Sequence, residues 1–212
     1  MVLKSGQTVD EYFLYRTKLF VHTHEQRKEV SGEPVVFVKP QSALLQQDIP
    51  FFYPRFANEL YCGCELVLLI SENGKDIQEN LAGNHYDFIS VGLNFTALHN
   101  QEELKEGKLS WEKAKAWNNS SVVGKWVPAK NFKNKRDINF CLYKNRKLMQ
   151  LGNSGLMINN FDIIISGISK SFPINMGDLI FTGTPAGITE LMAGDKLEAF
   201  IEDDSLLEFD VE

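Results

Sequence analysis

Cysteine is scarce in this chain of 212 residues: Cys62, Cys64 and Cys141 are an odd number with no disulfide spacing. That excludes a disulfide-stapled fold and fits a reducing compartment, so the expected location is cytoplasmic. Long apolar runs are missing, which leaves no segment able to span a bilayer. No apolar stretch follows Met1–Gly6 as a signal peptide requires, so no membrane partner is expected. Basic charge is also short. Lys and Arg number 22 against 28 Asp and Glu, a formal net charge of -6 that argues against a nucleic-acid partner. The one basic block, Lys130–Arg136, reads as a solvated loop. Internal repeats and low-complexity tracts are absent. What remains is a chain 43% hydrophobic with 15 Phe, enough for one large domain, or one domain with a small appendage, with a ring-rich core.

Apolar patterning points to many strands and few helices. Val35–Pro40 reads as a strand stopped by proline, and Cys64–Ile70 as one that ends in the turn signal Glu72-Asn73-Gly74. Phe88–Ala97 reads as a third. Ile138–Tyr143 and Lys147–Leu151 flank a turn as a hairpin, and Leu197–Ile201 and Leu206–Val211 do the same about Asp203-Asp204-Ser205. Helix is expected over Gln101–Gly107, over Phe161–Ser169 with Asn160 as its cap, and near Tyr12–Tyr15. This is the pattern of an α+β fold with a large mixed sheet system rather than alternating βαβ units.

The chemistry concentrates in four places. Asp178–Gly187 is an apolar run that breaks into Thr182-Gly183-Thr184-Pro185, a stiff loop whose hydroxyl and N–H groups suit an anionic or carbonyl ligand; a plain strand exit has the same composition. His22 and Glu25, three apart, share a face of a helical turn, where a carboxylate orients an imidazole as a general base; an exposed polar pair is the alternative. Glu65 opens an apolar strand. Strand alternation puts it on the face of Gly63, with Cys62 and Cys64 on the other, so cysteines and Glu65 do not aim at one metal. Lys115 lies between Trp111 and Trp117, either as a desolvated cation for an oxyanion or snorkelling to water.

Together and in this order, these segments resemble the fumarylacetoacetate hydrolase family, in particular its single-domain acylpyruvase and oxaloacetate-decarboxylase-like branch. The likeness runs from about Tyr15 to the C-terminus. It is carried by Ser31–Pro40, Leu93–Ala97 with Gln101, Trp111–Lys115, Gln150–Ser154 with Met157, and Met176-Gly177-Asp178 through Pro185 and Gly187. The resemblance implies layered mixed sheets with a β-roll core, usually in a homodimer. It divides the chain into an N-terminal segment, residues 1–33, as a candidate mobile lid, and a catalytic domain, residues 34–212. It also implies magnesium held by three carboxylates and chelated by a 2-oxo or 1,3-dicarbonyl acid. His22, Glu25 and Lys115 fall at the family's catalytic positions, and Gln101, Thr182 and Thr184 at its substrate-binding ones.

The departures fall on the metal. The family's Glu-x-Glu is here Gly63-Cys64-Glu65, its third ligand aspartate is Asn94, and its following Arg and Asp are Leu98 and His99. One anionic ligand, Glu65, is left beside the neutral Asn94. A hard dication depends on ligand charge, so magnesium is expected to bind weakly or not at all, with Glu65 and Lys115 balancing each other. Two functions follow. One is an enzyme that hydrolyses, decarboxylates or tautomerises a small oxo-acid. The other is a pseudoenzyme that binds a small carboxylate without turnover.

Overall fold

The computed structural model describes residues 34, 36–46 and 49–212, and the backbone course of 19–22. Among these residues it holds twelve strands: β1 (Leu19–His22), β2 (Val36–Lys39), β3 (Leu60–Ile70), β4 (Tyr86–Ala97), β5 (Ser121–Val123), β6 (Val127–Pro128), β7 (Asn139–Lys144), β8 (Lys147–Asn153), β9 (Leu179–Phe181), β10 (Thr189–Leu191), β11 (Lys196–Ile201) and β12 (Asp204–Asp210). Three α-helices accompany them: α1 (Glu79–Ala82), α2 (Leu98–Glu106) and α3 (Phe161–Ser171). The larger sheet runs β2-β1-β9-β3-β4-β5, with β10 also on β3 and β6 also on β4, and the smaller runs β12-β11-β7-β8. Pairing is antiparallel except between β1 and β9. The α+β expectation with layered sheets is met.

The long strands β3 and β4 form the spine. Both are buried on two faces, and β3 is apolar nearly throughout while β4 carries Ser90, Asn94 and Thr96 among its apolar residues. On one face Cys62, Cys64, Leu66 and Leu68 join Val91, Leu93 and Phe95 in the main core, against Leu142, Leu197, Ala199 and Ile201 of the smaller sheet. On the other face Val67, Leu69, Phe88 and Phe181 make a second, smaller core. The period-2 pattern therefore puts Gly63 and Glu65 on the second face, away from the cysteines, as the sequence predicts.

Local signals set the boundaries. Asn160 caps α3, its side-chain oxygen accepting from the Ile163 N–H at 3.0 Å. Helix α3 buries Phe161, Ile164, Ile165 and Ile168, one stripe at helical spacing. Asn145 and Arg146 both take positive φ, 51° and 65°, in the tight turn joining β7 to β8. Two expectations shift. The β11–β12 turn is made by Glu202 and Asp203, and Asp204 and Ser205 belong to the strand, since Ile201 pairs with Asp204. His22 is the last residue of strand β1, paired to Val36, and not part of a helical turn. A three-residue spacing reads as one helix face only where a helix exists, and sheet pairing overrides it here. Tyr12–Tyr15 and Glu25 lie outside the described residues.

Candidate active site

The site forms where β3 changes its neighbour. Along its C-terminal half β3 pairs with β9, Val67 opposite Phe181. Along its N-terminal half it pairs with β10, Cys62 opposite Thr189. The Thr-Gly-Thr-Pro loop bridges that gap and is sewn to the strand edge. Thr182 gives its N–H and its hydroxyl to the Leu66 carbonyl at 3.1 and 2.9 Å. The Thr184 hydroxyl donates to the Cys64 carbonyl at 3.0 Å. Gln150 of β8 clamps both: its carbonyl oxygen accepts from the Cys64 N–H at 2.8 Å, and its amide donates to Thr184 Oγ1 and the Pro185 carbonyl, each at 3.0 Å.

Glu65 sits at the centre, 2% exposed. Its Oε2 accepts from the Gly183 N–H at 2.7 Å, and its Oε1 from the Asn94 side-chain amide at 3.0 Å. Asn94 comes from β4, where it pairs with Gly63 on one side and Ser121 on the other. Burial pushes the Glu65 carboxyl above the usual carboxylate range; its hydrogen bonds to Asn94 and Gly183, then the charges of Lys115 and Lys39, pull the other way.

Those two lysines are both buried. Lys115 follows a short 3-10 turn at Glu112–Ala114, is 5% exposed, and lies 5.4 Å from the ring centre of Phe37. The tryptophan-flanked lysine is thus buried and does not snorkel to water. Lys39, fully buried at the end of β2, donates to the Ser120 carbonyl at 2.8 Å, Ser120 Oγ at 3.2 Å and Ser121 Oγ at 2.8 Å. Burial, then the neighbouring Lys115, holds its ammonium well below the usual lysine range, and Glu65 opposes that shift.

The structure brings Glu65, Asn94, Thr182, Thr184 and Lys115 into one neighbourhood. Gln101 is buried on α2, which starts where β4 ends. The backbone of His22 falls one residue beyond the Val21–Phe181 pair, level with the start of the Thr182 loop. Sequence reasoning missed Lys39 and Gln150 as site residues. Lys39 closes an apolar strand, Val36-Phe37-Val38-Lys39, inside a segment that carries the resemblance; alternation puts it on the face of Phe37, but no local pattern gave it a role in the site. Gln150 stood in a segment that carries the family resemblance, but nothing along the chain tied its side chain to Cys64 and Thr184.

The donor set does not fit a resident dication. No group of three His, Cys, Asp or Glu side chains suited to a metal occurs among the described residues. Asn94 turns its amide nitrogen, not its oxygen, to Glu65, and both carboxylate oxygens already accept hydrogen bonds. At Gly63 a Cβ would meet Thr184 Oγ1 at 2.6 Å, so Thr184 occupies the space of any side chain there.

Comparison with known proteins places this geometry. The fumarylacetoacetate (FAA) hydrolase C-terminal profile matches residues 15–212. The mitochondrial oxaloacetate tautomerase of Mus musculus is 34% identical over 181 residues, covering 85% of this chain and 82% of that protein. An oxaloacetate tautomerase of Escherichia coli (strain K12) is 31% identical over 186 residues, covering 87% and 85%. Fumarylpyruvate hydrolase from Pseudomonas aeruginosa, solved in complex with Mn2+ and pyruvate, has a TM-score of 0.83 over 92% of this chain and 89% of that one. At 24% identity that last likeness is one of fold. Matched over nearly its whole length, with the loop, the buried glutamate and the buried lysine in one place, the chain belongs to the fumarylacetoacetate hydrolase family.

Proposed function

We propose that this chain binds a small 2-oxo or 1,3-dicarbonyl acid at the Glu65 end of the larger sheet and shifts a proton on it, with magnesium held weakly or not at all. The observation that carries this is one buried carboxylate, Glu65, influenced by two buried lysines, Lys39 and Lys115. A buried ammonium at Lys115 stabilises a ligand carboxylate or a developing enolate oxygen, while Lys39 has its three hydrogen bonds spent on Ser120 and Ser121. Tautomerisation asks least of such a site, because the carbon skeleton stays intact; the oxaloacetate tautomerases among the relatives support that choice over C–C hydrolysis or decarboxylation. In this reading His22 and Glu25 move the proton, Lys115 steadies the oxyanion, and Gln101, Thr182 and Thr184 orient the ligand. Both threonine hydroxyl protons are given to β3 carbonyls, so a ligand meets that loop through oxygen lone pairs or backbone N–H groups.

A specific observation favours a second reading, a pseudoenzyme that binds the acid without turnover: two of three anionic positions are Gly63 and Asn94, and the remaining carboxylate is fully engaged. One experiment separates the two. Oxaloacetate and acylpyruvates are incubated with the protein from chelator to high magnesium while the keto–enol absorbance is followed. Turnover that His22→Ala reduces at least about 100-fold supports the enzyme, in line with general-base catalysis. Absent turnover with metal-independent thermal stabilisation by the acids supports the binder. Neither turnover nor stabilisation sinks both.

A further inference from the structure

Asn94 carries a feature that neither magnesium binding nor simple anion binding uses. Its side chain is 7% exposed, and its Oδ1 is buried with no hydrogen-bond partner among the described residues. The orientation of the amide is settled by its neighbour. Ionised and with Oε2 taken by the Gly183 N–H, Glu65 can only accept at Oε1, which draws Asn94 Nδ2 toward it. Turning the amide over would set a carbonyl oxygen 3.0 Å from a carboxylate oxygen. Oδ1 is therefore the free end, and a buried acceptor left empty is costly.

Three kinds of group could satisfy it. A dication lacks the anionic ligands it needs here. A ligand ammonium adds positive charge where Lys39 and Lys115 already act on one carboxylate. A neutral hydroxyl donor changes no charge and leaves the ligand's own carboxylate to Lys115. A keto oxygen at the same point sets acceptor against acceptor.

We propose that Asn94 makes this site selective for the hydroxyl form of its acid, an enol or a 2-hydroxy acid whose C2 O–H donates to Asn94 Oδ1. The inference rests on the reading that the site holds a small 2-oxo or 1,3-dicarbonyl acid, and adds which oxidation level and tautomer it prefers. An aspartate at this position, being charged, has a cation to hold. The asparagine has a donor to find.

The test is calorimetric titration of the full chain in chelator with matched pairs: lactate against pyruvate, and 2-hydroxyglutarate against 2-oxoglutarate. The hydroxy member of each pair that binds is expected to bind about tenfold tighter or more, as a site built around a ligand hydroxyl discriminates. Asn94→Ala is expected to erase that ratio while the oxo-acid binds no worse. Asn94→Ser, which keeps a polar side chain, serves as the second variant if alanine lowers the melting temperature too far, with a reduced ratio expected. Equal affinities within both pairs, or a ratio that survives in the variants, overturn this inference and leave acid binding standing. No binding by any of the four acids overturns the functional reading with it.

Discussion

At the scale of single residues, this protein shows how much one neighbour can change a side chain's task. Glu65 lies midway along β3, five residues past Leu60 and not at the strand's opening as the sequence suggests, in a position where a lone carboxylate is costly to bury. It is tolerated because two N–H donors meet its two oxygens. Asp195 is the contrasting case. Burial alone raises its carboxyl, but the Met192 N–H, Asn145 and Lys144 outweigh that and hold it below its ordinary value of 3.8. The Lys144 ammonium stands 3.2 Å away. A carboxyl lowered on folding contributes stability that is present above its unfolded value and is lost as pH falls through its folded one. Asp195→Asn is therefore expected to flatten the pH dependence of stability below about pH 4, read from denaturant midpoints across an acid series. A slope unchanged from the parent contradicts this account of Asp195. The face of the strand on which Glu65 stands was legible, because alternation is a local rule. Its partners were not, because nothing in Cys64-Glu65-Leu66 names Asn94 or Gly183.

Elements followed the sequence wherever their ends are chosen locally. Helix α3 begins at an asparagine cap and buries a stripe at helical spacing, and both were readable. Removing the cap leaves one first-turn N–H without its partner. Asn160→Ala is expected to lower stability by about 1 kcal/mol in denaturant unfolding, and a change near zero would mean that tertiary packing alone holds that end. The β7–β8 hairpin was found where expected, about a turn of two residues at positive φ. His22 was not. Its polar surroundings and three-residue offset to Glu25 resemble a helical turn, yet its backbone pairs with Val36 in a sheet. A strand of four residues between polar segments carries too little periodicity to announce itself.

The molecule as a whole is organised by the change of partner along β3. A loop that leaves β9 and returns as β10 must cross the open stretch of strand edge, and its threonines supply the missing hydrogen bonds. That crossing explains why Gly63 has to be small: a Cβ there lies 2.6 Å from Thr184 Oγ1. Gly63→Ala is expected to cost about 1–3 kcal/mol of stability by overpacking. Thr184→Ser beside it should recover part of that loss, because the Thr184 Cγ2 atom, 3.0 Å from the added carbon, is removed. Equal stability of Gly63→Ala and the parent, measured by thermal unfolding, would show that Thr184 rotates away freely.

Composition and alternation by themselves determined the mixed-sheet class, the core face of the long strands, the cap of α3 and the side of β3 on which Glu65 stands, because each depends on residues a few positions apart. Only the tertiary structure decided that Lys39 bonds to Ser120 across 81 residues and that Thr184 reaches Cys64 across 120. The same holds for Asn94, whose amide faces a carboxylate on the next strand with its oxygen left over. Contacts of that span are set by strand order and register. A sequence read along its length shows which residues can make them, while the fold selects which ones meet.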